Sequence, residues 1–117
     1  MKTDRSESLV DLSRIEEVAG GNRDFVLELI EMFLADAEQL LAAMKRAIEA
    51  RDAESLRVQA HSLKGSSANF DAHALREAAQ RLEESSRDSR LEEAPALLES
   101  IRFEFERVRE ALNAAAG

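Results

Sequence analysis

Asp52-Ala53-Glu54-Ser55-Leu56-Arg57-Val58-Gln59-Ala60-His61-Ser62-Leu63-Lys64-Gly65-Ser66-Ser67 is the stretch that decides the fold. Leu56, Ala60, Leu63 and Ser67 recur at the three- and four-residue spacing of one helix face. With successive residues ~100° apart, they fall within a sector of ~60°, which must face a core. Large and small side chains alternate along that face, as close packing against another helix requires. Asp52 is the expected N-cap. The same arithmetic turns His61 about 140° away from the middle of the sector, towards solvent.

The pattern continues on both sides. Asn22 can cap an upstream helix in which Phe25, Leu29, Phe33, Ala37, Leu40, Leu41, Met44 and Ile48 keep the helical spacing to about Arg51. Before it, Leu9, Leu12, Ile15 and Val18 suggest a short helix from about Leu9 to Ala19, ended by Gly20-Gly21. Downstream, Asn69-Phe70-Asp71 reads as a turn, with Asp71 the expected cap of a helix whose inner face is Leu75, Ala78, Ala79 and Leu82. Pro95 is tolerable only in a first helical turn, which places the start of the last helix near Leu91 or Glu92. Leu98, Ile101, Phe105, Val108 and Leu112 carry its stripe.

No strand-like alternation competes. The short connections favour antiparallel neighbours, so the expected fold is all-α: an up-and-down antiparallel four-helix bundle with a short extra N-terminal helix. Residues 1–8 are expected to be a flexible segment, residues 9–113 the bundle and residues 114–117 a frayed tail. A bundle that closes on itself predicts a monomer.

At 117 residues the chain suits one domain with one core. Its 44% hydrophobic and 34% charged residues, with one proline and four glycines, fit long amphipathic helices and not a disordered or turn-rich chain. A net charge of -8 argues against nucleic-acid and anionic-membrane partners, which need a cationic surface. The absence of cysteine removes disulfides, thiolate catalysis and cysteine-based zinc sites. The polar N-terminus has no signal-peptide core and no segment approaches the ~20 apolar residues of a membrane span, so a cytoplasmic location is expected.

His61 is the residue with chemistry to offer. A neutral imidazole nitrogen is a good nucleophile near neutral pH. Lys64, three residues on, can offset the charge of an arriving phosphoryl group. Gly65 leaves a bare patch one turn from the histidine, where a helix interior would otherwise prefer a side chain. Arg57, Val58 and Ala68 share the outer face and, with Gly65, are the expected docking surface for a receiver partner. Phosphoryl transfer passes through a loose transition state, so an acceptor needs positioning more than covalent apparatus. His73 with Glu77 one turn later is an incomplete ligand pair and is assigned no metal role. The phenylalanines are expected mostly in the core, and Phe70 is left outside the site.

The octapeptide Ala60-His61-Ser62-Leu63-Lys64-Gly65-Ser66-Ser67 resembles the signature of histidine phosphotransfer (HPt) domains, in which lysine and glycine stand third and fourth after the histidine. Gly20-Gly21-Asn22-Arg23-Asp24-Phe25 upstream, and Leu75 and Leu82-Glu83 downstream, also sit where that family's pattern places them. The resemblance spans about Leu9 to Leu112. It implies a phosphoryl carrier without kinase activity, taking the group from a receiver-domain aspartyl phosphate and passing it to another receiver. It implies no cofactor of its own, with a divalent metal, Mg2+, on the partner receiver. Glu83 matches the position that hydrogen-bonds the imidazole and orients its other nitrogen; many members carry glutamine there. Asp71 departs from the usual turn glycine.

Three other functions fit parts of the pattern. A sensor-kinase dimerisation domain would follow its histidine with an acidic residue and then a proline, whereas Ser62 and Gly65 stand here. The phosphoacceptor module of a chemotaxis-type kinase has nearly the same local motif. A helical adaptor with an unmodified histidine would suit the charge and amphipathicity equally well.

Overall fold

The computed structural model describes residues 9–116. Five α-helices account for most of them: α1 (Ser13–Ala19), α2 (Arg23–Glu49), α3 (Ala53–Ala68), α4 (His73–Arg87) and α5 (Ala94–Ala116). The segment expected to be flexible, residues 1–8, lies outside the described residues. The helices α2 to α5 form a closed ring in which each packs on its chain neighbours and α5 returns to α2. This is the four-helix bundle, with α1 laid against α2.

Local signals in the sequence start and stop these helices. The Asn22 side chain accepts a hydrogen bond from the Phe25 N–H at 3.1 Å and starts α2. Asp52 does the same for α3 through the Ser55 N–H, also at 3.1 Å. Gly20, at φ 63°, takes the left-handed conformation that closes α1. A 3₁₀ turn at Leu91–Glu93 leads into α5, so Pro95 lies in the first α-helical turn, where its missing N–H costs no helical bond.

Three expectations are corrected. The helix expected over Leu9 to Ala19 runs as one only from Ser13, because the Asp11 carboxylate accepts bonds from the Ser13 N–H and hydroxyl and starts it there. Val10 is instead buried, and the Asp11 N–H donates to the Phe70 carbonyl at 2.8 Å. Val18 is 64% exposed, since a strict three-residue repeat drifts around a 3.6-residue helix; Ile15 and Ala19 make the inner edge. Asp71 does not cap α4: Ala72 holds that position without a side-chain bond, while Asp71 sits at φ 50° with its carboxylate 3.4 Å from Arg14. The last helix runs through Ala116.

The core runs the length of the ring. Phe33, Met44, Leu56, Leu63, Leu75, Leu82, Ile101, Phe105 and Leu112 are buried, as the helical spacing predicts. Phe70 joins them, its ring 4.7 Å from that of Phe33. Phe103, in contrast, is 62% exposed on the outer face of α5. The most extensive seam lies between α3 and α4, where Ala60, Ser67, Ala78 and Ala79 are all buried. Small side chains there let the two backbones approach closely, which brings the histidine helix against Glu83.

Candidate functional site around His61

His61 projects from the outer face of α3 with 64% of its side chain exposed. Its Nδ1 lies 3.0 Å from Oε2 of Glu83, one helix away on α4. Glu83 is the unusual partner, a carboxylate with a side chain only 6% exposed. Its other oxygen, Oε1, is buried and sits 2.8 Å from the Lys64 Nζ. Arg87, one turn further along α4, places a guanidinium nitrogen 3.8 Å from Oε2.

Burial by itself drives the Glu83 carboxyl towards its neutral form. The Lys64 ammonium against Oε1 and the His61 ring at Oε2 outweigh that push and hold its pKa below the ordinary value of 4.5. Glu83 is therefore ionised at neutral pH and can only accept. A neutral imidazole facing an obligate acceptor must carry its proton on Nδ1, which leaves the lone pair on Nε2. The geometry thus turns one nitrogen inward and leaves the other with a free lone pair.

The remaining residues named from sequence fall into two groups. Val58 is exposed and Gly65 stands on the same outward face; a Cβ built on Gly65 meets nothing within 4 Å. No packing inside the chain requires glycine at that position, so the bare helix surface faces outward. Arg57 is drawn aside into an ion pair with Glu54, 2.6 Å away, and Ala68 is half-buried at the end of α3. The structure gathers His61, Lys64 and Glu83 into one cluster and leaves Arg57 and Ala68 at its margin.

Two features escape a reading of composition and stripe alone. The inner face of α4 does not end at Leu82: Glu83 and Ser86 are buried beyond it. Glu83 lies four residues after Ala79, so continuing the helical count would have put a carboxylate on a core-facing position. Arg87, four residues after Glu83, is legible only once Glu83 is recognised as the hub. Among the described residues no three His, Asp or Glu side chains come together as a metal-binding group, and His73 and Glu77 form no part of one. No described helix is long and apolar enough to cross a membrane.

Comparison with known proteins places this arrangement. The family model of the Hpt domain matches residues 28–116. The crystal structure of histidine-containing phosphotransfer protein B from Pseudomonas aeruginosa PAO1 superposes with a TM-score of 0.84, at 34% identity, over 92% of this chain and 94% of that one. The phosphorelay intermediate protein rdeA of Dictyostelium discoideum is 26% identical over 88 residues, 75% of this chain. The match takes in about a third of that relative's length, 35%. A family model covering most of the chain, and a full-length structural match at that identity, lead to one conclusion: the chain belongs to the Hpt domain family of phosphorelay proteins.

Proposed function

We propose that this Hpt domain is a phosphoryl carrier with His61 as its acceptor and donor atom site, exchanging the group with receiver-domain aspartates. The observation that supports it is the contact between His61 Nδ1 and the buried Glu83 carboxylate, which leaves an exposed Nε2 lone pair free. In the forward step that lone pair forms a bond to phosphorus. The bond from phosphorus to the aspartyl oxygen breaks, and its electron pair returns to the carboxylate. Passing the group on reverses the same exchange with a second receiver. The Nδ1 proton faces Glu83 and stays out of the path.

The carrier supplies position and charge, and the receiver supplies the divalent metal, Mg2+, and the aspartyl phosphate. Transfer through a loose transition state asks little more of the acceptor. The chain draws no phosphate from ATP by itself in this reading. The exposed Val58 and the open surface at Gly65 would admit the receiver beside His61, and the reading places the carrier in the cytoplasm with its receivers.

Incubation with a panel of phosphorylated receiver domains tests the proposal. Acid-labile phosphate should appear on the wild-type chain and not on His61→Gln, with the label disappearing when an unphosphorylated receiver is added. Equal labelling of both proteins, or none with any donor, contradicts it. Labelling only by a nucleotide-binding kinase domain supplied in trans would replace it with the chemotaxis-type reading.

A further inference from the structure

Phe103 is spent on nothing inside the chain. It stands on the outer face of α5 with 62% of its surface exposed, although Arg107 lays its guanidinium over the ring at 5.7 Å. The other large apolar side chains exposed among the described residues, Val18, Phe25, Met32 and Val58, belong to α1, α2 and α3. Phe103 therefore marks a separate surface, on the side of the bundle made by α4 and α5.

The ring forms one wall of a groove of about 370 Å³ between those two helices. Ala74, Ala78 and Ser100 also line it, and their short side chains leave it open. A benzene ring is accommodated by an apolar cavity of about 150 Å³, so there is room for a second phenyl group beside Phe103. A projecting ring and a groove that can receive one lie side by side on the same patch. Such a patch is what a two-fold interface needs, because one surface must serve both partners.

The charges fit the same partner. A net charge of -8 opposes self-association in general. Along this groove, however, Glu77, Glu99 and Glu104 stand with Arg81, and Arg107 adds a second cation beside Phe103, so the two signs nearly balance. Glu104 and Arg107 pair with each other at 3.2 Å. Glu77, Arg81 and Glu99 form no ion pair among the described residues. A second copy rotated onto the patch offers Arg81 to an acidic rim and an acidic rim to Arg81. A partner of one sign would match only half of it.

We propose that this face is a self-association surface: two copies of the chain pair about a two-fold axis, each Phe103 ring seated in the groove between α4 and α5 of the other. The core is closed within one chain, so the bundle folds without its partner and the pairing is reversible. The patch is small, which makes the dimer a weak one, with a dissociation constant on the order of 10 to 100 µM. No residue of α3 lines the groove, so the pair carries two His61 sites outside its interface.

Two measurements on the full chain decide it. In sedimentation equilibrium, the wild-type mass should rise from monomer towards dimer between about 5 µM and about 500 µM. Phe103→Ala, at an exposed position that leaves the fold intact by circular dichroism, should weaken association at least about tenfold. The chain has no cysteine, so single cysteines report proximity. Ser100 lies one turn before Phe103, about 4.5 Å along the helix axis, and Ser100→Cys should be linked into dimers by a short bis-maleimide far more than Glu28→Cys on the exposed face of α2. A wild type that stays monomeric at the highest concentration leaves the patch to a different protein, and a dimer indifferent to Phe103→Ala forms through another face. Either result overturns the inference, as does linking at position 100 no greater than at position 28.

Discussion

His61 and Glu83 stand 22 residues apart in the chain and meet at 3.0 Å, Nδ1 to Oε2, across the most extensive seam of the bundle. The contact links fold to chemistry. Small residues let α3 and α4 approach, the approach buries a carboxylate, and the carboxylate dictates which imidazole nitrogen carries the proton. Glutamine at position 83 could accept the same hydrogen bond, but it would present no charge for Lys64 to hold.

That charge makes stability depend on pH in a defined direction. Glu83 has a folded-state pKa below 4.5, so its contribution is present above the unfolded value and is lost as pH falls through the folded one. Wild type should be more stable than Glu83→Gln at neutral pH, and the gap should close as pH is lowered below 4.5. Denaturant titrations of both proteins across that range check this. A gap that does not change with pH would show that the Glu83 charge contributes nothing to folding.

Gly65 should separate stability from transfer. Replacing it with glutamine adds a better helix former at a position where the new Cβ meets no packed neighbour within 4 Å among the described residues, so stability should rise by up to about 1 kcal/mol. Transfer from a receiver should nevertheless slow by about tenfold or more if, as proposed, the receiver approaches His61 across this open surface. Stopped-flow transfer and thermal unfolding measured on the same variant test the pair of outcomes. Wild-type transfer kinetics would remove the docking role of this glycine.

The two aspartates flanking the histidine helix should behave oppositely. Asp52→Ala removes the bond to the Ser55 N–H and should cost about 1 kcal/mol. Asp71→Gly removes a residue at φ 50° that caps nothing and makes one exposed ion pair, so it should not lower stability. Chemical denaturation distinguishes them; a loss at Asp71 as large as that at Asp52 would mean that the Arg14 contact matters more than the backbone strain.

Much of this architecture is legible from residue spacing. The buried stripe of Leu56, Ala60, Leu63 and Ser67, the caps at Asn22 and Asp52 and the outward turn of His61 follow from helical periodicity and side-chain hydrogen bonding, which are local. What is not local is harder to read. The Asp11 turn that delays α1 competes with a helix over the same residues, and only the burial of Val10 and the bond to the Phe70 carbonyl decide between them. Glu83 reads as a surface charge until the packing of α3 on α4 covers it, and the family resemblance, more than its spacing, marks it for the site.

The central claim is that phosphate resides on Nε2 of His61 while Nδ1 keeps its proton towards Glu83. Heteronuclear 15N and 31P NMR of the chain phosphorylated by a receiver domain tests it most directly. Phosphorus coupled to Nε2 of His61, with a proton retained on Nδ1, is the predicted result. Phosphorus on Nδ1, or on any residue other than His61, would contradict the account.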